Sequence, residues 1–388
     1  MNIFGKFFLC LFLFSQAISG QSLTDLYKTG EITFQPDTTF RNTSAIFFDR
    51  RNEPIKNYST LAFAEDGSVF VLDRGTHQVL RFRPDGQYLK ALSINIPVST
   101  SVYNRIQGMD VLDNRYIVVA GYDRLLVYDF DGNLIKKIKK DYSLMKMVAL
   151  KDKKVAVEGS VLLGGSMMRW YVGIIDIDTG EDEPAVQYEG DLSRERISFK
   201  AGKGTMSFSS SAHTPRVYLA RTSDGNLIAG YSENPEVALY SPAATKLAEI
   251  RLEYPAMMLG KEELQAMKAR YTKSVNRAIQ QFDAPDSLLD VVQSDDFYRR
   301  RLPYFYGIKT DSEGNILIFR QQQDEANHVF RVYQVYSNRG EFICETTMDF
   351  GSYMRPDLRR IAFHDGFLYG LVQKPDNELI ELVRGTFQ

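Results

Sequence analysis

Cysteine is nearly absent from this chain: two residues in 388, at positions 10 and 344. Cys10 falls in a leader described below, which leaves Cys344 without a partner and excludes an intramolecular disulfide. A chain this long without disulfides must be held by its core. Histidine is scarce too: the four residues His77, His213, His328 and His364 make no short-range ligand pair. Neither sign of charge is in excess, with 47 Lys and Arg against 49 Asp and Glu for a formal net charge of -2. A duplex binder needs a concentrated cationic surface, so no nucleic-acid partner is expected. The chain has no Gly-x-Ser-x-Gly and no Cys/His dyad spacing, and Gly202-Lys203-Gly204 lacks the strand and helix context of a phosphate-cradling loop. Beyond the leader, no apolar run approaches the roughly 20 residues that a spanning helix requires. No transmembrane segment is expected in the mature chain.

What is present is apolar mass, 44% of residues, and aromatic side chains: 25 Phe and 22 Tyr with one Trp, against 13 Pro and 27 Gly. That balance suits many short strands better than a helical bundle. The first residues read as a secretory signal, with Lys6 as the positive region, Phe7 to Phe14 as the apolar stretch and Ala17-Ile18-Ser19 as a small-x-small cleavage site. Bulky Phe7, Phe8 and Leu9 before Cys10 argue against lipidation. The expected organisation is a signal peptide over 1–20 and one domain over 21–388, exported to a periplasmic or extracellular setting. Cys344, inside the strand-like run Gly340 to Glu345, reads as an inert buried thiol.

A four-strand unit repeats along the chain. Leu61 to Ala64, Val69 to Leu72, Val79 to Phe82 and a strand through Leu89 and Leu92 are separated by Glu65-Asp66-Gly67, by Asp73 to Gln78, and by Pro84-Asp85-Gly86. Asp-Gly between apolar strands is a hairpin signal, because Gly tolerates positive φ and Asp bonds to nearby backbone. Four antiparallel strands in such a span make one propeller blade. Further units start at about 106, 145, 216, 305 and 358, with late or early turns at Asp131-Gly132, Thr179-Gly180, Asp224-Gly225, Glu313-Gly314 and Asp365-Gly366. The sixth unit has only three strands before the chain ends. An unpaired edge invites aggregation, so an N-terminal segment, Ala45 to Phe48 or Glu31 to Phe34, is expected to complete it.

The run Asp73-Arg74-Gly75-Thr76-His77-Gln78-Val79 resembles the core of an NHL repeat, keeping its Asp and His but carrying Thr76 and Gln78 where Asn and Arg are usual. Over residues 45–388 the chain resembles the exported six-bladed propellers of Bacteroidetes-type bacteria. The resemblance implies an all-β, six-bladed β-propeller closed by an N-terminal strand. It says little about activity, because propellers host unrelated functions. Some propellers of this kind are lyases with a His-held metal and some are lactonases with a carboxylate-rich metal site. Glu158, Asp110 and Asn104 are the carboxylates and amide imaginable for the latter.

Two segments exceed the repeat. Gly190 to Pro215 has weak periodicity and reads as a surface loop. The second, 254–303, reads as a helical insertion between blades four and five. Leu264, Met267, Tyr271, Val275, Ala278 and Phe282 make one apolar stripe on a helix from Lys261 to Phe282. Ser287 to Val292 follows as a short second helix capped by Ser287 or Asp286. The blade-to-blade connections share a face with the loops between second and third strands. That face collects Arg74, His77, Arg105, Arg124, Arg169, Arg216, Tyr304, Tyr306 and Arg359. Arginine suits carboxylate or phosphate through paired hydrogen bonds, and tyrosine suits stacking. The expectation is a non-enzymatic binding propeller that recognises a protein, peptide, glycan or small anionic ligand there, with neither catalytic residues, metal nor cofactor assigned. The alternatives are a metal-dependent lyase or lactonase-type hydrolase at the channel mouth, and an envelope scaffold.

Overall fold

The fold was described from a computed structural model, which places residues 22–41, 58–74, 76–94, 106–164, 167–191, 196–201, 204–209, 214–282, 284–325, 328–350, 361–373 and 380–388. The chain starts with a short helix α1 (Leu23–Tyr27) and strand β1 (Glu31–Pro36). Four-stranded antiparallel sheets follow in sequence order. The first is β2 (Tyr58–Phe63), β3 (Val69–Asp73), β4 (Gln78–Phe82) and β5 (Tyr88–Ser93). The second is β6 (Gly108–Leu112), β7 (Tyr116–Ala120), β8 (Arg124–Asp129) and β9 (Leu134–Lys139). The third is β10 (Ser143–Ala149), β11 (Lys154–Gly164), β12 (Met167–Asp176) and β13 (Asp182–Asp191). After a separate hairpin, β14 (Arg196–Ala201) and β15 (Gly204–Ser209), comes the fourth: β16 (Val217–Arg221), β17 (Leu227–Tyr231), β18 (Glu236–Tyr240) and β19 (Lys246–Arg251).

Two helices, α2 (Lys261–Phe282) and α3 (Ser287–Gln293), precede the remaining strands. Those are β20 (Gly307–Thr310), β21 (Ile316–Glu325), β22 (His328–Tyr336), β23 (Phe342–Asp349), β24 (Ile361–His364), β25 (Phe367–Gln373) and β26 (Ile380–Phe387). They form one eight-stranded sheet in the order β20-β21-β22-β23-β1-β26-β25-β24. The first strands touch in a cycle: β2 meets β6, β6 meets β10, β10 meets β16, β16 meets β20, β20 meets β24, and β24 meets β2. The arrangement is propeller-like, with first strands around an axis and fourth strands outward.

Position in a sheet explains the residue pattern. Second strands are covered on both faces by neighbouring sheets, so β3, Val-Phe-Val-Leu-Asp, is buried at every residue. Outer strands are covered on few faces: in β9 only Ile138 is buried. The hairpin turns take the expected left-handed residues, with Gly67 at φ +76° and Gly225 at φ +80°. The predicted surface loop 190–215 is corrected in part, because β13 runs on to Asp191 and β14 and β15 pair from Arg196↔Ser209 to Ala201↔Gly204. The period-two pattern Ile197, Phe199 and Met206, Phe208 explains this, since alternation favours a strand even amid polar residues.

Of the two N-terminal segments expected to pair with the chain's end, Glu31 to Phe34 does so within β1, while Ala45 to Phe48 lies outside the described residues. Strand β1 pairs parallel with β23 over Glu31–Thr33 and antiparallel with β26 over Phe34–Pro36. Phe34 packs edge-on against Phe387 at 6.1 Å between ring centres. Beyond it, the Arg384 guanidinium donates to Asp37 (Nε to Oδ2 2.9 Å) and to the Pro84 carbonyl at 2.9 Å, and lies over the rings of Phe40 and Phe367. Asp37, Phe40 and Arg384 thus tie the chain's two ends to the first sheet. Helix α1 is held separately: the N–H groups of Leu23 and Thr24 donate to the Glu313 carboxylate at 2.6 and 3.0 Å, on the β20–β21 turn.

The helical segment folds largely upon itself. Leu264, Met267, Val275 and Ala278 of α2 pack with Leu288 and Val292 of α3 and with Phe297, Tyr298 and Leu302. Phe282, the last residue of the expected stripe, is half exposed. Asp286 is the N-cap residue of α3, with no side-chain cap bond. Cys344 lies in β23 and is half-buried rather than buried as expected, and partial burial pushes its thiol up from the ordinary range.

Candidate functional site at the axis

On the hairpin-turn side, Phe63, Arg221, Thr310 and His364 are the last residues of β2, β16, β20 and β24. A cavity of about 300 Å³ opens there. Phe63, Val111 and Leu150 give it apolar walls, and Arg221 reaches it from the end of β16. Its rim is made by the turn tips: Glu65 from the first sheet, Asp113 and Asn114 from the second, Lys151 from the third, and Ser223 and Asp224 from the fourth. Such turns are short because Asp-Gly and paired left-handed residues close them. Asp113 and Asn114 both sit at φ +49°. Short turns keep their side chains close to the axis, and that makes the cavity.

Arg221 is half-buried and is held by one bond from Nη1 to the Ala149 carbonyl at 3.1 Å. Behind it lies Asp110 of β6, whose carboxylate accepts from the N–H groups of Val111 and Ala149, each at 2.8 Å. Burial pushes the Asp110 carboxyl up, while the Arg221 guanidinium, the two N–H bonds and Lys309 oppose that rise. At the end of β24, the His364 ring stacks on Phe63 at 4.6 Å and 13° between planes. Burial lowers the His364 basicity, Arg221 adds to the effect, and Asp365, 3.3 Å from Nε2, works against it. The rim acids are partly engaged: the Glu65 carboxylate accepts from the Asn114 side-chain amide at 3.4 Å, the Glu65 N–H donates to the Asn114 oxygen at 2.9 Å, and Asp113 accepts from the Lys153 N–H at 2.9 Å. Lys151 lies across the Asp224-Gly225 turn, close enough that a Cβ on Gly225 would meet its stem at 2.8 Å.

The described members of the set expected from sequence lie at the loop end, at the opposite side of the axis. Arg105 and Arg359 lie outside the described residues, as do Asn104 and His213. Arg124 closes onto Asp123 by two bonds at 2.5 and 2.9 Å, and Arg169 onto Glu189 at 2.7 Å. Arg74 and His77 share the β3–β4 turn, with His77 at φ +53° and its carbonyl accepting from the Ile94 N–H. Arg216 is exposed and lies near enough to Glu158 to lower its carboxyl. Tyr304 is buried in the core between the fourth sheet and β20–β21, where its hydroxyl accepts from Arg301 and its carbonyl from the Tyr254 hydroxyl at 2.8 Å. Tyr306 is half-buried beside Tyr218 and Glu263 of α2, and burial raises its phenol. The described members of this set are therefore spread over several local contacts, and none of them lines the axial cavity.

The same end carries a charged pair. Lys146 of β10 bridges to Glu158 of β11 at 3.3 Å, donates to the Val217 carbonyl and stands 4.6 Å over the Tyr218 ring. Burial pushes the Glu158 carboxyl up and Lys146 pulls it back. Among the described residues no group of three or more His, Cys, Asp or Glu is arranged to hold a metal ion. Reasoning from sequence missed the axial cavity because it used Glu65-Asp66-Gly67 and Asp224-Gly225 only as fold signals. The available signal was the same turns read as a lining set, with an arginine three residues before Asp224.

No family model matches the chain, and no curated protein matches it. Among solved structures it is similar to a member of the duf4221 family from Bacteroides vulgatus, at 12% identity and a TM-score of 0.52, over 86% of this chain and 94% of that one. It is also similar to virginiamycin B lyase from Staphylococcus aureus, at 9% identity and a TM-score of 0.42, over 86% of this chain and 96% of that one. A gluconolactonase from Xanthomonas campestris has 10% identity and a TM-score of 0.42, over 85% of this chain and 86% of that one. Identities this low bear on fold alone. The strand arrangement is that of a propeller-like β protein, and the likeness to the Bacteroides vulgatus structure agrees with that fold.

Proposed function

We propose that the chain is an exported, six-bladed propeller of NHL-like kind that binds a small anionic ligand in its axial cavity. The eight-stranded sheet is read as blades five and six joined edge to edge by β1, with the helical segment 254–303 inserted between blades four and five. The cyclic contact of first strands supports that count. The leader over 1–20, with Lys6 ahead of an apolar stretch, supports export of a domain over 21–388.

One observation carries the ligand reading: Arg221 stands at the end of an inner strand, half-buried beside apolar walls, with one guanidinium nitrogen on a carbonyl and the group lining an open cavity. A partly desolvated guanidinium offers paired donors to a carboxylate or phosphate, worth about 1.5–3 kcal/mol, or roughly ten- to a hundredfold in Kd. An enzymatic reading of this end would have to use Asp110, whose carboxylate is already held by two backbone N–H groups. Binding is the reading this geometry favours. Calorimetric titration with acetate, succinate and inorganic phosphate tests it. At least one should bind the wild type and lose tenfold or more with Arg221→Gln, and no binding by any of the three overturns the proposal.

Partner docking at the loop end is a second reading. The β11–β12 hairpin extends past its counterparts in the first two sheets and exposes Val161, Leu163 and Met167, an apolar tip that suits a protein or peptide partner. Arg74, His77, Arg216 and Tyr306 stay with that reading, and Arg105 and Arg359 belong to it by their place in the sequence.

A further inference from the structure

The charges of the axial cavity are ordered by depth. Arg221 is the cation that lines the cavity where the inner strands end, with the Asp110 carboxylate beside it. One level outward, the turn tips carry three carboxylates, Glu65, Asp113 and Asp224, against a single cation, Lys151. A simple anion gains at Arg221 but must pass and then sit beneath an acidic rim. A ligand with a carboxylate at one end and an ammonium at the other gains at both levels. Resting on the axial-binding reading above, we infer that the ligand is zwitterionic, an unblocked amino acid or short peptide, held carboxylate-inward at Arg221 and ammonium-outward at the rim.

Several details fit this orientation. Glu65 and Asp113 are each tied to the neighbouring turn, through the Glu65 N–H to Asn114 and the Lys153 N–H to Asp113, so the rim is fixed in shape. Asp224 is exposed at a turn tip and is the rim acid nearest in sequence to Arg221, which places opposite charges on one strand end and its turn. Phe63 offers an apolar face between the two levels, braced by the His364 ring stacked upon it. A cavity of about 300 Å³ is at the small end of the range for ligand sites, which fits a ligand of one or two residues and excludes a long chain.

The test uses the full mature chain and three probes in calorimetric titration: Ala-Ala, N-acetyl-Ala-Ala, and Ala-Ala amide. The inference expects Ala-Ala to bind at least tenfold tighter than either blocked form. Asp224→Asn should weaken Ala-Ala about fivefold and leave the N-acetyl form unchanged, whereas Arg221→Gln should weaken both carboxylate forms. Asp224→Asn keeps the turn, so its unfolding curve serves as the control for folding. Equal binding of Ala-Ala and its N-acetyl form overturns the zwitterion while leaving the anionic reading in place. If neither dipeptide carboxylate binds but acetate, succinate or phosphate does, the inference again fails alone. Failure of every carboxylate and of phosphate removes the axial-binding reading itself.

Discussion

Replacing Arg384 by alanine probes the joint between the two ends of the chain. The guanidinium is about 15% exposed and Asp37 about 17%, so both are largely removed from water. Losing hydrogen bonds to a charged partner costs about 1.5–3 kcal/mol. Losing the placement over Phe40 and Phe367, at 4.9 and 4.6 Å from the ring centres, removes two cation–π contacts. Each is worth roughly 0.5–1 kcal/mol. Asp37 is not stranded, since it still accepts from the Thr39 N–H at 2.8 Å and hydroxyl at 2.6 Å, which keeps the total near the lower end. The expected loss is about 3 kcal/mol. For a chain of this length the unfolding entropy is about 0.8 kcal/mol per degree, so the melting temperature should fall by roughly 4 °C. Differential scanning calorimetry reads the shift, and a double-mutant cycle with Asp37→Ala should return a coupling of about 1–2 kcal/mol. A loss below about 1 kcal/mol would refute the idea that this contact secures the joint.

The remaining predictions concern a buried charge and a crowded strand. Lys146→Met strips the buried Glu158 carboxylate of its bridging cation and leaves only exposed Arg216 near it, a loss of about 3 kcal/mol at neutral pH. Burial already raises the Glu158 carboxyl above its unfolded value, so protonation favours the fold, and the deficit should shrink as pH falls toward the raised value. Urea unfolding at pH 7 and pH 5 checks it, and a deficit that grows on acidification would count against the assignment. In Gly385→Ala, the new methyl would meet the Gln35 carbonyl at 2.3 Å and the Phe34 ring at 2.4 Å. Overpacking of this kind costs about 1–3 kcal/mol, so a variant as stable as the wild type by urea titration would show that β1 does not press on β26 as described.

Much of the architecture was legible before any coordinates. The Asp-Gly turns and apolar runs placed most strands within a few residues, and the stripe from Leu264 to Ala278 marked α2 from Lys261 to Phe282. Local chemistry explains that success: a glycine at positive φ, a run covered on both faces and a 3.6-residue stripe each act within one element. The candidate site was less legible. Arginine loops at the sheet-to-sheet end looked like a binding face, yet Arg124 and Arg169 are closed by Asp123 and Glu189 within their own sheets.

The sequence by itself determined the strand-rich class, the lack of disulfides, the rhythm of turns and the helical segment, because each depends on residues close together in the chain. Only the tertiary structure decided that the turn tips of four sheets line a cavity, that β1 would pair with β23 and β26 at once, and that Phe63 would meet His364. Those outcomes depend on how strand ends distant in sequence come together in the packed sheets. Convergence is a property of sheet packing and twist, and no short stretch of sequence contains it.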